Sequence, residues 1–198
     1  MILALDPSST CTGFATFDDG GQLLLDHCGT ITPKGDDLPA KLLELAQDVN
    51  RLVMEAARPL TVAIERPQTA GGPNRGGYAK QSPMSIASYG AAFGAVYTTV
   101  ALSMPTGRIL TPTPMEWVGR DIIPSSKGDT HKEKRVRWVE HLYRLPPGSL
   151  GCKTKAGNVA DAILLGRFAA AVGPTWRPAG KRKRERVVVT VRPQGGKG

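Results

Sequence analysis

The chain has 198 residues, 40% of them hydrophobic and 22% charged, with 26 Lys and Arg against 17 Asp and Glu. That length suits one domain with a sizeable core, and the excess of nine positive charges points to a polyanionic partner, nucleic acid ahead of an anionic membrane. The three cysteines, Cys11, Cys28 and Cys152, are scattered, which argues against a disulfide framework and a paired-cysteine zinc site and fits a reducing compartment.

In chain order, residues 1–6 form an apolar run that ends in Asp6, and residues 11–18 and 22–31 read as two further strands. Asp18-Asp19-Gly20-Gly21 between the last two is a hairpin signal. Leu38, Leu42, Leu45, Val49, Leu52, Val53 and Ala56 recur at helical spacing, so 38–57 is expected to be an amphipathic helix. Leu60-Thr61-Val62-Ala63-Ile64-Glu65 is a second buried strand ending in an acid. The Gly-, Pro- and Gln-rich stretch 67–83 reads as a loop. A small-residue helix at 84–103 follows, then a strand at Arg108–Thr111 and helices at 129–144 and 158–172. Three leading strands followed by alternating helices and strands predict an α/β domain over 1–172 with a mixed sheet of about five strands.

From Gly173 onward the chain is a basic tail, with eight Lys and Arg against the single Glu185, so 173–198 is expected to be a flexible appendage. Asp6 interrupts the first apolar run and no basic segment precedes it, so no secretory leader is expected. No apolar stretch reads as long enough to span a bilayer, and a cytoplasmic protein without a membrane partner is expected.

Three acids stand out for chemistry. Asp6 and Glu65 sit at the carboxyl ends of two strands, and Asp161 lies near the start of the last helix, three residues after Asn158 and on the same face. Oxygen ligands converging from separate elements suit Mg²⁺ or Mn²⁺. Two such ions roughly 4 Å apart can activate water and stabilise a leaving oxygen in phosphodiester hydrolysis. Ordinary structural roles also exist. Asp6-Pro7 can initiate a turn, Glu65 can be a strand-end residue, and Asn158 can cap a helix with Asp161 at its third position.

The ordered set Leu5-Asp6-Pro7 with Thr12-Gly13, Asp36-Asp37-Leu38-Pro39, Ala63-Ile64-Glu65 and Ala160-Asp161-Ala162 resembles the RuvC-type Holliday-junction resolvases, within the ribonuclease H-like superfamily. The likeness covers about residues 1–172. It implies a ribonuclease H-like fold and a homodimeric endonuclease that nicks two opposed strands of a four-way DNA junction. Mg²⁺ is the implied cofactor, with Mn²⁺ able to substitute, and the products carry 5′-phosphate and 3′-hydroxyl ends. Asp6, Glu65 and Asp161 match three of the family's four metal-binding positions. The fourth, usually an acid and sometimes a histidine, is Asn158 here; an amide offers a carbonyl oxygen without charge, so metal affinity at that position should fall. Ser8 also replaces the usual glycine in the first turn.

The same resemblance places DNA contacts. Arg75, Tyr78 and Lys80 lie in the 67–83 loop, where a base-stacking ring flanked by cations would approach the junction centre. Lys132, Lys134 and Arg135 open the 129–144 helix, and Lys134 is the match for a lysine near the scissile phosphate, where it would stabilise developing charge. The 84–103 helix, poor in bulk on one side, is implied to form a two-fold interface. Outside the likeness, the tail's Lys181-Arg182-Lys183-Arg184 is expected from its charge to add salt-dependent affinity for DNA, with a disordered tail of no function as the alternative. Two other readings compete: a junction-binding protein with little catalysis because of Asn158, and an actin-like or sugar-kinase-type phosphotransferase, for which the chain is too short.

Overall fold

A computed structural model of the chain describes residues 1–56, 61–67, 82–118, 130–173 and 176. Its strands are β1 (Ile2–Asp6), β2 (Thr12–Phe17), β3 (Leu23–Ile31), β4 (Thr61–Ile64) and β5 (Arg108–Leu110). Its helices are α1 (Leu38–Glu55), α2 (Pro83–Ser103), α3 (Pro114–Trp117), α4 (His131–Leu142) and α5 (Lys153–Val172). The five strands form one mixed sheet in the order β3-β2-β1-β4-β5, antiparallel on the hairpin side and parallel from β1 through β4 to β5. The expected α/β architecture is therefore found.

Strand alternation divides the sheet into two faces. On one, Leu3, Leu5, Val62 and Ile64 pack with Leu45, Val49 and Val53 of α1 and Ala92, Val96 and Val100 of α2. The other face presents Ala4, Ala15 and Ala63 to α5, with Phe17 and Leu110 at its margins. Alanines leave room for a helix to lie close, and the approach is tightest at Gly13, where an added Cβ would overlap the backbone carbonyl of Asn158. Two separate cores thus sandwich the sheet.

Local chemistry sets the element ends. Asp37 caps α1, its carboxylate accepting from the Ala40 amide at 2.8 Å. Thr130 and Glu133 form a reciprocal capping box at the start of α4. The β2–β3 hairpin turns at Gly21, whose φ of 77° suits glycine.

Several expectations need correction. Helix α5 begins at Lys153, five residues before the predicted start, so Cys152 is the cap residue and Asn158 lies inside the helix. The capping role considered for Asn158 is thereby excluded. The one-turn helix α3 was not expected at all. Helix α2 is, by length and composition alone, long and apolar enough to cross a membrane, against the expectation of no such stretch. Yet Ala92, Val96 and Val100 place one stripe of it in the same core as β1 and β4. Of the tail, only Gly173 and Trp176 are among the described residues, and both are tied back. Arg108 donates to the carbonyl oxygens of Gly173 at 2.6 Å and Trp176 at 3.1 Å, and the Trp176 ring meets Phe168 edge-on.

Candidate active site

The same alternation that sends Ala4 and Ala63 toward α5 sends Asp6 and Glu65 there too. β1 and β4 run parallel with Leu5 opposite Ile64, and the Glu65 amide donates to the Leu5 carbonyl at 2.9 Å. The next residue along each strand is the acid. Helix α5, pressed against this face, brings Asp161 to the same end of the sheet, and all three carboxylates lie within electrostatic reach of one another. The three acids picked out in the sequence are therefore brought together.

Their protonation shows how crowded the negative charge is. Burial, then the charges of Glu65 and Asp161, pushes the Asp6 carboxyl well above its ordinary value. Burial and the Asp161 charge raise Glu65 to about 7, against hydrogen bonds from Tyr89 and Trp117 that favour its ionised form. Burial also raises Asp161, opposed by the neighbouring charges of Arg135 and Lys132.

Each member is held by named partners. The Tyr89 hydroxyl of α2 donates to Glu65 Oε1 at 2.9 Å, and the Trp117 indole N–H of α3 donates to Glu65 Oε2 at 2.9 Å. Both carboxylate oxygens of Glu65 are thus fixed by uncharged donors from two different helices. Arg135 Nη1 donates to Asp161 Oδ1 at 2.6 Å, and its guanidinium lies 5.5 Å from the Trp117 ring centroid. Lys132 Nζ donates to Asn158 Oδ1 at 2.6 Å, while Asn158 Nδ2 donates to the Cys11 carbonyl at 2.7 Å. The amide orientation follows from its neighbours: the ammonium must meet the oxygen and the carbonyl must meet the NH₂. Gly157 makes room for this arrangement, because a Cβ there would press on the Lys132 side chain at 2.9 Å.

Two of the three cations named on the basic helix are brought to the acids. Lys132 and Arg135, one turn apart on α4, face the acids. Arg75, Tyr78 and Lys80 lie outside the described residues. Tyr89 and Trp117 were missed in the sequence. The one available signal was general: a buried indole N–H needs an acceptor.

The donor set is oxygen-rich and carries surplus negative charge, which fits a hard divalent cation. Among the described residues, however, no three His, Cys, Asp or Glu side chains stand close enough to form a ready-made metal cage. The Arg135 guanidinium already sits against Asp161. The residues fit a metal, provided that this cation gives way.

No protein-family model matches the chain. It is 34% identical over 65 residues to the crossover junction endodeoxyribonuclease RuvC of Methylococcus capsulatus, a stretch that is 33% of this chain and 39% of that protein. The RuvC of Nitratidesulfovibrio vulgaris strain DP4 is 37% identical over 65 residues, 32% of this chain and 39% of the relative. The match thus spans about two fifths of the length of these curated relatives. Among solved structures, Thermus thermophilus RuvC in complex with a Holliday junction substrate superposes with a TM-score of 0.61 at 17% identity, covering 87% of this chain and 95% of that one. The yeast mitochondrial Holliday junction resolvase Ydc2 gives 0.54 at 15% identity, covering 85% and 77%. The chain has the mixed-sheet fold of the RuvC-type Holliday-junction resolvases and is similar to them in sequence over a third of its length.

Proposed function

We propose that this chain is a divalent-metal-dependent endonuclease that resolves four-way DNA junctions by paired nicks. The observation that carries this reading is the convergence of Asp6, Glu65 and Asp161, delivered by two parallel strand ends and one helix, beside a basic helix. Asp6, Glu65 and Asp161 would hold the metal, Mg²⁺ with Mn²⁺ substituting, and Asn158 would offer a weak fourth ligand once Lys132 releases it. A bound divalent ion would supply water activation and charge neutralisation at the scissile phosphate.

The chain's own residues do the positioning. Tyr89 and Trp117 lock the Glu65 carboxylate in one orientation, so little reorganisation is left for the reaction. Lys132, on releasing Asn158, would turn its ammonium to the phosphate, alongside Lys134 of the same helix. Arg75, Tyr78, Lys80 and the basic tail would extend the contact to DNA, and cytoplasmic location fits the free cysteines.

A homodimer would set two such sites on opposed strands. Helix α2 supports it: Met84 and Leu102 are 75% and 79% exposed, and an added Cβ at Gly90 or Gly94 would meet nothing among the described residues. A second copy could approach closely across Gly90 and Gly94.

Asn158 favours one further reading, a junction-binding protein with little catalysis, because its amide oxygen is engaged by Lys132 and carries no charge for a metal. The test is a labelled four-way junction incubated with the chain and with Asn158→Asp, with Mg²⁺, Mn²⁺ or EDTA. Metal-dependent nicks by the unaltered chain establish the nuclease. Binding without nicks, with cleavage restored by Asn158→Asp, establishes the alternative; neither binding nor cleavage sinks both.

A further inference from the structure

We infer that Arg135 is a built-in counter-ion of Asp161 that a divalent cation must displace. The inference rests on the metal-centre reading above and adds to it a competitor within the chain.

Three observations carry it. First, the contact is a close, buried ion pair: Nη1 to Oδ1 is 2.6 Å, with the side chains 21% and 6% exposed. Second, the guanidinium acts on all three carboxylates, since its charge bears on Asp161, Glu65 and Asp6 alike. It lies among the acids, where a metal's charge would be needed. Third, the position is built. Arg135 shares the inward stripe of α4 with Val139, and Trp117, the residue that fixes Glu65, offers its ring face to the guanidinium.

A guanidinium on Asp161 Oδ1 and a divalent ion on the same carboxylate repel one another. Metal binding therefore involves moving Arg135 aside, and an arginine released at the rim of the site has a natural acceptor in a DNA phosphate. The pair offsets part of the acids' negative charge, and it weakens metal affinity in doing so.

The test is a Mn²⁺ titration of the full chain, followed by electron paramagnetic resonance, for the wild type, Arg135→Gln and Arg135→Lys, alongside thermal unfolding in EDTA and in Mn²⁺. Arg135→Gln should bind Mn²⁺ about tenfold tighter or more, the scale on which one adjacent unit charge shifts an ionic equilibrium. It should also melt below the wild type in EDTA, with Mn²⁺ closing most of that gap. Should Arg135→Gln fail to fold, Arg135→Lys gives the comparison: without the planar fork and ring contact it should bind Mn²⁺ several-fold tighter than the wild type. Equal or weaker Mn²⁺ binding by the folded variants overturns the counter-ion role and leaves the metal centre standing. Mn²⁺ bound by neither wild type nor variant overturns both.

Discussion

The two faces of the sheet share strands β1 and β4 and do opposite work. Leu3, Leu5, Val62 and Ile64 fill one face with bulk and bury it under α1 and α2. Ala4, Ala15 and Ala63 keep the other face shallow, so α5 lies close enough for Gly13 to meet the Asn158 backbone. Because side chains alternate, Asp6 and Glu65 continue the shallow face, where the partner helix can bring a third acid to them. The large residues secure the fold, and the small ones give the acids their meeting place.

This contrast can be broken from either side. The largest expected effect is on the shallow face: Asp6→Asn or Glu65→Gln should lower junction cleavage by at least about a hundredfold, the scale of one charge-stabilising group in a site, with melting temperature held or raised because a crowded negative charge is removed. Single-turnover cleavage and thermal unfolding check this together. On the bulky face, Leu5→Ala should cost about 2–5 kcal/mol of stability while cleavage per folded molecule stays close to wild type; denaturant unfolding separates the two effects. Gly13→Ala should do some of both, destabilising by about 1–3 kcal/mol as α5 is pushed away and slowing cleavage through displaced Asn158 and Asp161. The smallest effect belongs to α2, where Gly94→Leu should leave the monomer's unfolding nearly unchanged and shift sedimentation toward monomer.

Much of this was legible in the sequence. An apolar run ending in an acid, twice, already implied two strand ends carrying carboxylates, while the register that sets both acids on one face belongs to the assembled sheet. The helical spacing of Leu45, Val49 and Val53 gave α1 its core side. The start of α5 was less legible, since Lys153-Thr154-Lys155-Ala156-Gly157 has neither an apolar stripe nor a good capping residue, and Cys152 gives no side-chain cap. Lys132 was legible in principle. It lies four residues before Val136 and seven before Val139, in line with the core stripe of α4. What local pattern could not supply are the contacts between distant segments. Trp117 reaches Glu65 across 52 residues and Arg135 reaches Asp161 across 26, and only the assembled fold pairs them.

The central claim is that the shallow face of the sheet carries a phosphodiester-cleaving centre. The most direct measurement is the rate of strand cleavage in a labelled four-way junction by the wild type and by Asp161→Asn, with Mg²⁺ present and junction binding measured in parallel. The account predicts paired, symmetric nicks from the wild type and their loss in Asp161→Asn with binding retained. Nicks at an equal rate from both proteins would contradict it.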